Sequence, residues 1–145
     1  MRIKLSTGFT LVEAMVAVTV LTLAISGAFF TANSAIIAAE IASDQLTASY
    51  LAQEGVEYVR KMRDDAYLAA VAGGNPANAW STFLAELESI APPVLKSDDI
   101  PASFERTIQV FSASETDERI ISKVSWSFHG TIYSVTVTDH LTPWQ

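Results

Sequence analysis

The hydrophobic pattern of the chain is dominated by one long apolar run near its start. From Ala14 to Ala39 there are 26 residues without a charged side chain. As an α-helix this run would extend about 39 Å, which exceeds the roughly 30 Å thickness of a bilayer's hydrocarbon core. The run is therefore long enough to cross a membrane. Because no proline occurs between Phe9 and Lys61, we predict that a single helix continues to about residue 65.

Beyond the uncharged run, the same helix is predicted to become amphipathic. Small and apolar residues recur near heptad spacing on one side, while most charged residues fall elsewhere. This pattern predicts a face that other parts of the chain cover. The face consists of Ile37, Ile41, Ala48, Ala52, Gly55, Val59 and Met62.

A helix-breaking segment and a second, shorter helix are predicted next. Gly73-Gly74-Asn75-Pro76 is typical of a helix end, and the residues from about 79 to 90 again have apolar side chains at helical spacing. We expect this helix to lie as a flap over the rest of the fold, ending before Pro92-Pro93. Its apolar positions are Trp80, Phe83, Leu84, Leu87 and Ile90.

The C-terminal part alternates apolar and polar residues, as half-buried strands do. We predict strands at about 104–111, 121–129 and 131–138, with a tight hairpin at His129-Gly130. The predicted fold class is α+β, a long N-terminal helix whose C-terminal half packs on a small antiparallel β-meander. The alternating positions are Phe104, Arg106, Ile108, Val110, Val124, Trp126, Phe128, Tyr133, Val135 and Val137.

Composition and charge narrow the range of functions. The 145 residues suit one domain, and 9 basic against 16 acidic residues give a formal charge of −7. This balance argues against binding of nucleic acid by this chain alone, because phosphate binding needs a basic face. The chain has no cysteine, which excludes disulfides, thiol catalysis and CxxC metal sites.

The remaining polar residues do not form a recognisable catalytic or metal-binding pattern. His129 and His140 lack the spacing of metal ligands, and we expect both to be solvated. Asp98-Asp99 and Glu115-Thr116-Asp117-Glu118 are acidic clusters predicted to lie in loops. Calcium binding by such a loop stays an alternative, although neither cluster repeats an EF-hand pattern. We therefore expect no catalytic residue, no cofactor and no metal.

The charges that flank the apolar run predict the orientation of the chain. Arg2 and Lys4 precede the run, whereas the first charges after it are acidic, Glu40 and Asp44. The positive-inside rule therefore places the N-terminus in the cytoplasm and the bulk of the chain outside. A cleaved secretory signal peptide, with small residues at 26–28 as its cleavage site, and a plain signal anchor are alternatives.

Glu13 is the one charged residue near the start of the apolar run. An acidic side chain inside the bilayer costs about 2.5–3.5 kcal/mol, and the first turn of a helix returns only about 0.3–1 kcal/mol. Snorkelling to the cytoplasmic face is one explanation. An ion pair is the other, and the run has no Lys or Arg to provide the cation. If the chain were cut between Gly8 and Phe9, the new ammonium could pair with Glu13 of a neighbouring helix.

The stretch Gly8-Phe9-Thr10-Leu11-Val12-Glu13, after a basic leader and before an apolar helix, resembles the cleavage and methylation motif of type IV prepilins. Related pseudopilins of type II secretion systems share this motif. The resemblance implies that a prepilin peptidase cuts after Gly8 and N-methylates Phe9. It implies that Glu13 pairs with a neighbour's amine during assembly. It also implies a pilin fold with a leader at 1–8, a transmembrane and filament-core helix at 9–33, and a globular head at 34–145.

The resemblance implies a structural protein rather than an enzyme. LAQEGVEYVRKMRD and VTVTDHLTPW resemble minor pilins of the pilus-modification type, so a minor pilin of a type IV pilus is our interpretation. The implied partners are the prepilin peptidase, other pilin subunits, the pilus assembly platform and the cytoplasmic membrane, and the implied destination is a surface pilus or periplasmic filament. A pseudopilin, or an anchored surface binding module that does not assemble, are the alternatives.

Overall fold

In the part of the chain that the structure describes, the fold consists of one very long helix, a short helix and a three-stranded sheet. A computed structural model describes residues 10–89 and 100–143. Two compact units are distinguished, one extending to Ile41 and one beginning at Ala42. The elements in chain order are α1 (Leu11–Ala72), a 3-10 turn (Pro76–Asn78), α2 (Ala79–Ser89), β1 (Phe104–Ser114), β2 (Asp117–Phe128) and β3 (Thr131–Leu141). The predicted α+β combination of a long N-terminal helix with an antiparallel sheet is confirmed.

Helix α1 ends at Ala72, later than the predicted end at about residue 65. The extra residues, AYLAAVA, are mostly good helix formers, so nothing in them ends the helix. Gly74, with φ of 75°, then closes the helix in a left-handed conformation. The N–H of Asn75 donates to the carbonyl of Ala70 at 2.9 Å, and the N–H of Gly74 donates to that of Val71 at 3.0 Å. These bonds satisfy the last carbonyls of the helix.

The sheet is an antiparallel meander in the order β1-β2-β3. His129 and Gly130 have φ of 49° and 80°, as a two-residue hairpin requires, and the pair Phe128 and Thr131 flanks them. All three strands are longer than predicted: β1 and β3 continue past their predicted ends, and β2 begins earlier but ends at Phe128, one residue before its predicted end. The largest difference is at β2, which begins at Asp117, so Asp117 and Glu118 belong to a strand and not to the predicted acidic loop.

The covered face of α1 packs on the sheet in two apolar clusters. The first joins α1 to α2 and all three strands, and the second joins it to β2. The residues of the predicted face between Ala48 and Met62 are buried, and Val56 and Ala66 are buried beside them. The two earlier residues of the predicted face, Ile37 and Ile41, are only partly buried. The buried members of the first cluster are Val56, Val59, Met62, Ala66, Phe83, Ile108, Ile120 and Leu141. Those of the second are Ala48, Ala52, Val124 and Trp126.

Polar contacts also hold α1 against the strands. Arg106, only 5% exposed, donates from Nη1 to the carbonyl of Leu51 at 3.0 Å and to Glu54 Oε2 at 2.9 Å. Arg60 donates from Nη2 to Asp139 Oδ2 at 2.6 Å, which ties α1 to β3. This hydrogen bond is the main cause that raises the pKa of Arg60 above its ordinary value. The guanidinium group of Arg60 is therefore held in the charged form.

Gly55 is the point of closest approach between α1 and the sheet. A methyl group at this position would clash with Ser122 Oγ and would lie 3.2 Å from Arg106 Cδ and Ile108 Cδ1. The Ser122 hydroxyl is buried and has no hydrogen-bond partner among residues 10–89 and 100–143. The helix therefore approaches β2 closely because residue 55 has no side chain.

We expect Gly55→Ala to lower the free energy of unfolding by about 1–2 kcal/mol, because overpacking of about 1–3 kcal/mol outweighs a helix-propensity gain of up to about 1 kcal/mol. Ser122→Ala removes the crowded hydroxyl and should restore most of this loss in the double variant. Denaturant unfolding of the full chain in detergent micelles, for both single variants and the double variant, measures the coupling. Strictly additive effects would contradict a direct clash between these two residues.

Candidate processing and assembly site

The first turn of α1 positions Glu13. The N–H of Glu13 donates to Thr10 Oγ1 at 3.3 Å, and the N–H of Ala14 donates to the Thr10 carbonyl at 3.1 Å. Thr10 is therefore the N-cap of the helix and Glu13 is its third residue. Glu13 is exposed, so its carboxylate is accessible to another molecule. The other two predicted site residues, Gly8 and Phe9, lie outside the described residues.

Thr10 was missed by the sequence analysis as a residue of this site. Threonine followed three residues later by glutamate is the signature of a capping box, in which each residue supports the other at the start of a helix. The signal was present in the sequence but was read only as part of the processing motif. Glu13 therefore has two candidate roles: it stabilises the first turn of α1 through the capping box, and it takes part in assembly. Experiments have to distinguish these two roles.

The apolar half of α1 leaves its large side chains exposed. The most apolar 18-residue segment of this helix has a mean hydropathy of 2.0, and none of its residues is buried within the protein. The hydroxyls of Thr19, Thr22 and Thr31 donate to the carbonyls four residues earlier, at 2.7–2.9 Å. Polar groups that are satisfied within the helix are suited to a lipid environment. By length and composition, α1 is the one helix within residues 10–89 and 100–143 that could cross a membrane.

The length and composition of this apolar helix would suit a signal peptide equally well. The residues at the start of the helix therefore have to distinguish a signal peptide from a prepilin. Residues 3–29 match the prokaryotic N-terminal methylation motif. This motif, placed at the start of a long apolar helix, supports a type IV pilin-like protein. The matched range contains all three predicted site residues, Gly8, Phe9 and Glu13. No curated protein and no solved structure matches the chain, so the role of its head must be argued from its own residues.

The residues considered for metal binding make contacts within the sheet. His140 is exposed, and its Nδ1 lies 3.0 Å from both carboxylate oxygens of Asp117. Glu118 is 6% exposed and accepts a hydrogen bond from Ser112 Oγ at 2.9 Å. No group of three potential ligands assembles among the residues that the structure describes. The pair Asp98-Asp99 lies outside them.

The head has a small cleft between the end of α1 and the start of α2. Its volume is about 130 Å³, which is below the roughly 300–1,000 Å³ of typical small-molecule sites. Arg63, which lines it, already donates to the carbonyl of Thr142 and to Asp64. The cleft can hold a single small side chain. It gives no support to an enzymatic function.

Proposed function

We propose that this protein is a minor pilin, a structural subunit of a type IV pilus that is made as a prepilin. The observation that carries the proposal is the methylation motif placed directly before a helix with exposed apolar side chains. A soluble enzyme would bury such residues, whereas a filament subunit needs them first in the membrane and then in the filament core. Leader residues 1–8 are removed by cleavage after Gly8, and Phe9 is N-methylated.

The membrane stage precedes assembly. Residues 9–33 hold the precursor in the cytoplasmic membrane with the N-terminus in the cytoplasm, as the basic residues Arg2 and Lys4 favour. The head, residues 34–145, lies outside and folds around its own core. The prepilin peptidase, other pilin subunits and the assembly platform are the partners in this sequence of events.

Glu13 acts in the step from membrane to filament. It is exposed in the first turn of α1, and no Lys or Arg occurs between Ala14 and Ala39 that could neutralise it. Cleavage after Gly8 creates an ammonium group at Phe9, at about the depth of this carboxylate. An ion pair between Glu13 and the Phe9 amine of the adjacent subunit would set the stagger between neighbouring helices.

A pseudopilin of a type II secretion system shares every feature of this argument, because the motif and the helix are common to both groups. The minor-pilin assignment rests on the stretches LAQEGVEYVRKMRD and VTVTDHLTPW. An anchored binding module that does not assemble would need no Glu13. The neighbouring genes distinguish a filament subunit from an anchored binding module. Genes for pilus assembly and further prepilins beside the coding sequence would favour the filament subunit.

We expect the mature chain to start at N-methylated Phe9. Co-expression with a prepilin peptidase, followed by mass spectrometry of the intact protein and its N-terminal peptide, measures this start. Gly8→Leu should block cleavage, because the residue before the cut must be small. Gly27→Leu is the matched control, since a side chain at Gly27 meets nothing within 4 Å.

Gly8→Leu and Ala28→Leu together separate the prepilin from a secretory signal peptide. A signal peptide cut after Ala28 would be blocked by Ala28→Leu, because the residue directly before such a cut must be small, and it would be unaffected by Gly8→Leu. A mature start near Phe29, or an uncut Met1 in the presence of active peptidase, would contradict the proposed processing.

A further inference from the structure

Strand β3 has a free edge. It pairs with β2 on one side, and in the part of the chain that the structure describes no strand pairs with its other side. An unpaired edge presents a row of backbone N–H and C=O groups that can bind an added strand. Proteins usually block such edges with charges, prolines or bulges, so the residues of the edge determine whether a strand can be added.

The edge of β3 lacks these blocking features over most of its length. Residues 131–138 contain no charged residue and no proline, and the pairing of β2 with β3 has no register shift. The other outer strand, β1, differs because it carries Glu105, Arg106 and a bulge between Ser112 and Ser114. An uncharged edge is therefore specific to β3 in a chain whose formal charge is −7.

The apolar layer on the helix side of the sheet is incomplete at β3. Trp126 and Val124 of β2 are 5% and 0% exposed, whereas their partners Tyr133 and Val135 are only partly buried. Val137, the next residue on this face, is also partly buried. A strand beside β3 with apolar residues at alternate positions would cover these three side chains.

The hairpin geometry identifies the backbone groups that point to the free edge. Phe128 and Thr131 flank a two-residue turn and therefore form a hydrogen-bonded pair. Such pairs alternate along an antiparallel ladder, so the odd-numbered residues of β3 bond to β2. The N–H groups of Ser134, Thr136 and Thr138 consequently point away from β2.

We propose that the free edge of β3 is a docking site for an extended segment of another protein. The segment is uncharged over about six residues and carries β-branched or aromatic side chains at alternate positions, as strand addition to an edge requires. The edge supplies hydrogen bonds, while Tyr133, Val135 and Val137 favour the register that buries the segment's apolar residues. A charged segment would lose hydration at this edge without gaining an ion pair. The docking site does not depend on the proposed filament function.

The test uses the isotope-labelled full chain in detergent micelles and a synthetic peptide, TIYSVTVT, which copies residues 131–138 and has the proposed alternation. Amide hydrogen exchange is followed by NMR. Peptide is expected to slow exchange at Ser134, Thr136 and Thr138 by about tenfold or more, and to change little at Val135 and Val137, which already bond to β2. A peptide of equal composition with consecutive apolar residues should have no effect. Absence of protection, or protection at other residues, would overturn the proposal.

Two lysine variants provide a matched control. Thr107 and Thr136 flank Lys123 in the same cross-strand row, one on β1 and the other on β3. Thr136→Lys and Thr107→Lys therefore place equal charge beside Lys123, but only the first charges the proposed edge. We expect Thr136→Lys to weaken peptide protection about tenfold and Thr107→Lys to preserve it. Equal loss in both variants would overturn the proposal. So would a dimer of the chain alone with a protected Thr136 amide, because a second copy would then occupy the edge.

Discussion

Phe83→Ala is expected to lower the free energy of unfolding of the head by about 3–5 kcal/mol. Phe83 is 0% exposed and is the residue of α2 that enters the cluster formed by α1 and the sheet. Its ring also lies 5.3 Å from that of Trp80, between centroids. Alanine would leave a cavity that the surrounding side chains of two helices and three strands cannot fill together. Urea unfolding of the full chain in detergent micelles measures the loss.

Phe111→Ala is the matched control, because it makes the same substitution on the opposite face of the sheet. Phe111 is 41% exposed, and its ring makes a cation–π contact with Arg119, whose guanidinium carbon lies 5.5 Å from the ring centroid. The expected loss is about 1 kcal/mol or less. Similar losses for the two variants would mean that α2 is not part of the cooperative core.

Phe83 also illustrates what hydrophobic periodicity predicts well. Its helical spacing with Trp80 and Leu84 identified α2 and the face that α2 buries, and the structure confirms that face. The alternation around Val124 and Trp126 similarly identified β2 and its buried side. The spacing of apolar residues predicts which side of a helix or strand is covered, because burial of an apolar face is the dominant favourable term in folding.

Other features depend on contacts between distant residues and could not be predicted from the pattern. Gly55 was placed on the covered face, but its closeness to Ser122 depends on how α1 lies on β2. Ser122 is polar and yet 0% exposed. Glu118 is also buried, although it was predicted to lie in an acidic loop. The end of α1 at about residue 65 was predicted too early, because the helix continues to Ala72 and ends at the predicted breaker segment, where Gly74 adopts a left-handed conformation.

The candidate site was predicted from one acidic residue, Glu13, near the start of an apolar run. Glu13 is conspicuous because its neighbours are apolar, and the methylation motif at residues 3–29 agrees with the sequence interpretation. The N-cap Thr10 was missed although its capping-box spacing to Glu13 is visible in the sequence, because both residues were read only as part of the processing motif. Cleavage after Gly8, methylation of Phe9 and the assembly role of Glu13 stay predictions.

Glu13→Ala is expected to leave membrane insertion and cleavage after Gly8 intact and to reduce incorporation into filaments by roughly a hundredfold or more. In the apolar centre of a filament both the carboxylate and the Phe9 ammonium are removed from water. Deleting one charge leaves the other buried and unpaired, at about 3–5 kcal/mol, and each 1.4 kcal/mol is about a tenfold change in an equilibrium. Cleavage is measured in membranes and incorporation in sheared surface filaments.

Glu40→Ala controls for the loss of any carboxylate on α1. Glu40 is exposed and is the first charged residue after the apolar run, so its removal leaves no charge unpaired in the filament core. We expect this variant to assemble like the wild type. If it failed equally, total charge rather than the position of Glu13 would determine assembly.

Glu13→Gln separates the two tasks that the structure leaves to this residue. Glutamine can replace glutamate in a capping box with Thr10, so this variant keeps the local support of the helix start while losing the charge. If assembly needs the ion pair with the Phe9 amine, Glu13→Gln should fail as completely as Glu13→Ala. If Glu13 only supports the first turn, Glu13→Gln should assemble normally and the alanine variant should lose no more than about 1 kcal/mol of helix stability. Normal incorporation of both variants would mean that Glu13 merely snorkels to the cytoplasmic face, and the stagger between subunits would then have to come from apolar packing alone.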